Sequence, residues 1–218
     1  MATYLNQADR LLRPRERQLP TLQFLPLMVL FLGGFYGAIM GTYGGFTGER
    51  LWQVLYSATK VPLLLLATFS ISLPSFFVLN TLVGLRSDFG KVLSALLATQ
   101  AGMTIILASL SPYTVLWYLS FENYGQAIMF NGLMFGIASL TAQLILLKFY
   151  RPLIRQNKLH RLMLILWLIL YAFVGIQMGW VLRPFIGSPN EPVEFFREES
   201  WGNAYEMVYQ IFLRALGY

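Results

Sequence analysis

The chain has 218 residues, of which 56% are hydrophobic and only 12% charged, with a mean hydropathy of +0.57. A soluble domain carries roughly a quarter charged residues, so this chain lacks the polar coat that a water-facing surface needs. Its net charge of +6 does not indicate a nucleic-acid partner, because the basic residues gather in short segments beside apolar blocks, where they orient helices and meet anionic headgroups. With no cysteine, a disulfide framework, a thiolate metal site and a thiol nucleophile are all excluded.

Residues 1–21 form a polar segment with Arg10, Arg13, Arg15 and Arg17. Five apolar blocks follow, Leu22–Phe46, Val61–Leu85, Val92–Leu110, Ala127–Leu147 and Leu162–Leu182, and none contains Asp, Glu, Lys, Arg or His. Blocks of about 20 apolar residues match the length needed to cross ~30 Å of hydrocarbon as a helix. The first is too long for a signal-peptide core and has no small-residue cleavage site after it, so it reads as a retained helix. The expected fold is an all-α polytopic transmembrane bundle of five spans over residues 22–182, with short loops. Residues 183–218 form a tail: a proline-rich stretch, then 201–217 with apolar residues at helical spacing. That last stretch reads as an interfacial amphipathic helix, with a sixth span as the competing reading.

Orientation follows from the flanking charges. One side collects the N-terminal arginines, Arg86 and Lys91, and Lys148, Arg151, Arg155, Lys158 and Arg161, which is eleven of the 16 basic residues. The other holds Arg50, Lys60, Arg183, Arg197 and Arg214. The positive-inside rule makes the richer side cytoplasmic. The expectation is a multi-pass protein of the plasma membrane (the inner membrane in a bacterium), N-terminus in the cytoplasm and C-terminus outside.

The sharpest motif lies in the first span. Gly33, Gly37, Gly41 and Gly45 recur every four residues, so they share one helix face and let another backbone approach closely. That backbone belongs to a helix of the same chain or of another subunit. Weaker small-residue pairs, Gly132 with Gly136 and Gly175 with Gly179, read as packing inside the bundle. Polar residues within the spans include Asn80, Gln100, Asn131 and Gln143, a candidate polar path. Pump or carrier coupling normally uses an intramembrane ionisable group, and the blocks contain none, which argues against such coupling.

No catalytic motif is present. His160 sits in the basic fourth connection and reads as solvated or headgroup-facing, and a single loop histidine cannot build a haem site. No metal or haem site is encoded, while bound lipid is compatible with the sequence. Aromatic residues crowd the outer span ends as an interfacial belt. In the tail, Phe185, Phe195, Phe196, Trp201 and Tyr205, stiffened by prolines, are candidates for docking on another protein.

The run Lys60-Val61-Pro62-Leu63 through Leu73-Pro74-Ser75, followed by the turn Gly84-Leu85-Arg86-Ser87 and further polar-studded spans, resembles bacterial Yip1-like multi-span membrane proteins over residues 60–180. The acidic and Gly-Pro signature of the eukaryotic members is not evident. The resemblance implies a compact helical bundle with an accessory or organising role. Together these readings point to a non-enzymatic subunit that packs with other membrane proteins, or with itself, and organises or stabilises a complex. The alternative is a small passive channel or facilitator.

Overall fold

The computed structural model describes residues 24–197, and these form helices joined by short loops, with no strand. Five helices are long and apolar enough to cross a membrane. They are α1 (Phe24–Gly41), α2 (Arg50–Leu82), α3 (Phe89–Ser120), α4 (Tyr124–Gln156) and α5 (Leu159–Val181). The chain is therefore a multi-pass helical bundle. The basic N-terminal segment, the helix expected over 201–217, and Trp201 and Tyr205 lie outside the described residues.

Three helices extend well past the apolar blocks. At 33 residues, α2 is about 50 Å long, some 20 Å more than the hydrocarbon core. Its first three turns carry Arg50, Gln53, Ser57 and Lys60, which the block boundaries assign to a loop. Gln53, Ser57 and Lys60 repeat at steps of four and three, so they form one polar face, and all three are fully buried. The helix also continues through Pro62 and Pro74. Likewise α3 runs on through Pro112 to Ser120, so Tyr113, Trp117 and Tyr118 lie on a helix beyond the end of the third apolar block. Asn123 starts α4, its side chain accepting from the Gln126 amide at 3.0 Å.

The helices do not all touch. α1 packs along both α2 and α3, α3 along α4, and α2 along α5. One core, in the half next to the 83–88 and 157–158 connections, is shared by α2 to α5. It holds Phe69, Phe76, Leu96, Leu146, Tyr150, Met163 and Trp167. In the opposite half the core is built mainly by α1, α3 and α4, with Tyr36, Met40, Leu107 and Met134, and α2 adds Val61. There α5 contributes nothing, and Ile186, from the segment after it, takes its place.

Gly45 departs from the expected glycine strip. α1 ends at Gly41, and Gly44 and Gly45 adopt φ of +80° and +113° in the following loop. Two adjacent glycines in conformations that other residues resist terminate the helix before a fourth turn of the strip can form. A Cβ at Gly45 would meet nothing within 4 Å.

Candidate functional site

The other three strip glycines face α2 of the same chain. A Cβ at Gly37 would overlap the Ser57 carbonyl oxygen and stand 3.0 Å from Ala58 Cα. At Gly41 it would stand 2.7 Å from Val54 Cα, and at Gly33 3.5 Å from Pro62 Cα. At these three positions α1 lies against the segment of α2 that carries the buried polar face.

That polar face holds the segment following α5. Residues 182–197 fold back as a strap across the end of the bundle. Lys60 Nζ donates to the Pro184 carbonyl at 2.8 Å, Ser57 Oγ donates to the Phe185 carbonyl, and Gln53 Nε2 donates to the same carbonyl at 3.4 Å. From α4, Tyr124 donates to the Ile186 carbonyl at 2.9 Å, and Arg50 donates to the Ser188 carbonyl at 2.7 Å. Gly187 lies close over Gln53, and a Cβ there would stand 2.7 Å from Gln53 Oε1 and displace that side chain. Pro189 rests against Gly44 of the first loop.

Lys60 is the residue that the sequence reading missed. It has no solvent exposure, and besides the Pro184 carbonyl its ammonium meets the face of Phe195, 4.9 Å from the ring centroid. It forms no ion pair with a carboxylate among the described residues. Burying an ammonium is costly, and in a membrane protein such a group marks a working site by default. The signal was present in the sequence: the Gln53, Ser57, Lys60 spacing is helical.

Beside the strap lies a cavity of about 360 Å³ between α1, α2 and α4. Met40, Leu64, Ile128, Gly132 and Phe135 supply apolar walls, and Asn131 and Tyr124 supply polar edges. The strap closes one end with Arg183, Pro184, Phe185 and Ile186, joined by Arg197. Arg183 stacks on Trp180 at 3.3 Å, and Arg197 pairs with Glu191.

The four residues of the expected polar path are dispersed. Asn131 borders the cavity and is held by Tyr36, which donates to its Oδ1 at 3.1 Å, while its Nδ2 donates to Tyr118 at 2.7 Å. Gln100 accepts from Tyr171 at 2.9 Å. Asn80 donates to its own helix at Phe76, and the Gln143 carbonyl oxygen is buried without a partner. Of these, only Asn131 reaches the cavity.

Among the docking candidates, Phe185 packs into the chain's own core and Phe195 stacks edge-on against Tyr56 at 5.2 Å. Phe196 is exposed. His160 is also not where a loop residue would be. It is fully buried, its Nε2 is 3.4 Å from Asp88, and it meets the edge of Tyr150. α5 begins at Leu159, which turns the imidazole inward onto the α2–α3 connection. The weaker pairs also differ from expectation. Gly132, Gly136 and Gly179 would each admit a Cβ with nothing within 4 Å among the described residues.

Among the described residues no three His, Asp or Glu side chains come together in a way that could hold a metal ion. No family model matches the chain, and neither does any curated protein or solved structure.

Proposed function

We propose that this chain is a non-enzymatic membrane subunit that docks against another membrane helix through the exposed face of α4, and so helps to organise a larger complex. The observation that carries this reading is the bare Gly132–Gly136 pair. Both glycines are exposed, a Cβ added at either would meet nothing within 4 Å among the described residues, and Met129, Leu133 and Leu140 flank them as exposed ridges. Between helices in lipid there is little hydrophobic drive, so close backbone approach over small residues is the main source of association. The strip on α1 is spent inside the chain; the pair on α4 is the one left to offer. α5 adds an apolar stripe at steps of three and four, Leu162, Ile165, Ile169, Phe173 and Ile176.

Gly136→Leu tests this. Because the position is open, the variant should fold, insert and melt as the parent does. Its assembly, read by native mass spectrometry or copurification from native membranes, should be lost or weakened by about tenfold or more, the scale of an overpacked contact. Unchanged assembly would remove α4 as the docking face.

A further inference from the structure

The hairpin that joins α4 to α5 concentrates charge that docking through Gly132 and Gly136 does not use. Lys148, Arg151, Arg155, Lys158 and Arg161 fall within fourteen residues, and the chain has no acidic residue between Glu122 and Glu191. All five are exposed. Tyr150, Leu153 and Met163, on the other side of the same turns, are committed to the core, which turns the cations outward. At this end of the bundle Asp88 is the one described carboxylate, and it is already engaged by Lys91 at 2.8 Å and by His160 at 3.4 Å. Among the described residues none of the five forms an ion pair with a carboxylate.

Depth decides what these cations meet. Lys148 follows Leu147, the last residue of the fourth apolar block, and Arg161 precedes Leu162, the first of the fifth. At about 1.5 Å per residue, Lys148, Arg151, Lys158 and Arg161 lie within roughly 6 Å of the hydrocarbon boundary, inside the headgroup layer. Arg155 is roughly 12 Å out, within a long side chain's reach of that layer. Each cationic row also continues an apolar one. On α4, Leu140, Leu144, Lys148, Arg151 and Arg155 follow at steps of four and three, and on α5 Lys158, Arg161, Ile165 and Ile169 do the same, every one of them exposed. An apolar row that ends in cations matches a lipid, with its chains along the row and an anion at the end. Basic clusters beside a span draw anionic lipid, and guanidinium groups suit a phosphate because their paired N–H groups match two of its oxygens.

We propose that the α4–α5 hairpin is a selective site for anionic phospholipid, the phosphate held by Arg151, Arg155 and Arg161 and the acyl chains laid against Leu144, Ile165 and Ile169. The test titrates the full chain, purified in a non-ionic detergent, with palmitoyl-oleoyl phosphatidylglycerol or phosphatidylcholine, and counts bound lipid by native mass spectrometry. Phosphatidylglycerol should bind about tenfold tighter or more, a preference that two headgroup-facing cations are enough to give. Arg151→Gln, Arg155→Gln and Arg161→Gln together should bring the two lipids to within about threefold of each other. These positions are exposed, so the triple variant should melt as the parent does. Gly136→Leu should leave the preference unchanged, which separates this site from docking through α4. Glycerol 1-phosphate, a headgroup without chains, should not displace the lipid; if it does, the site is for a soluble phosphate and the lipid assignment falls. Equal binding of the two lipids by the parent, or a preference that the triple variant keeps, overturns the site. Capture of polyglutamate by a parent that binds both lipids alike would assign the hairpin to an acidic polypeptide instead.

Discussion

Gly37 is the tightest point of the α1–α2 contact, since any side chain there collides with backbone rather than with a flexible tip. Gly37→Leu should therefore destabilise the protein by about 1–3 kcal/mol, read as a lower melting temperature in detergent, with no separate effect on assembly. That outcome differs in kind from the one expected at Gly136, where space is open and only association should change. The same glycine spacing thus has opposite consequences on two helices. Periodicity reports that a face is flat; it does not report what the face meets. Lys60 makes a related point. A block search for apolar runs places it outside the second span because it tests for uninterrupted hydrophobicity, whereas an end segment that buries polar groups shows itself only as a period.

The strap is the element that sequence alone could not place. It is held mainly through its own carbonyls, at Pro184, Phe185, Ile186 and Ser188, by side chains of α2 and α4. Backbone acceptors are present in any sequence, so nothing in the composition of 183–190 announces the contact. Lys60→Met should leave the bundle folded, since the loss of one hydrogen bond is offset by relief of ammonium desolvation. It should loosen the strap. With no native cysteine in the chain, an Ile186→Cys reporter at this buried position should react slowly with a soluble maleimide in the parent background. In the Lys60→Met background it should react several-fold faster. Equal rates would show that Lys60 does not hold the strap.

For the whole molecule, the five long apolar helices among the described residues were legible because each block is about as long as a bilayer is thick. The lengths were not, since the charged and polar ends of α2, α3 and α4 are helical without being apolar. The cavity was not legible either. It forms because α5 is absent from one half of the bundle, and packing partners 60 to 130 residues apart leave no local trace. Sidedness remains an expectation from charge. Reporter fusions after Lys91 and after Asn190 should mark opposite compartments, with Lys91 in the cytoplasm. The same compartment for both would overturn the three crossings between those points, by α3, α4 and α5.

Lys60 and its acceptor at Pro184 lie 124 residues apart. At about 5–20 residues per second of synthesis, the ribosome takes roughly 6–25 s to travel from one to the other. For that interval α2 holds an ammonium near the lipid boundary whose partner has not yet been made. α5 must cross before the strap can fold back, so compensation of this charge is a late event in biogenesis. An incomplete copy that stops short of residue 184 carries the charge uncapped, which gives membrane quality control a physical difference between unfinished and finished chains.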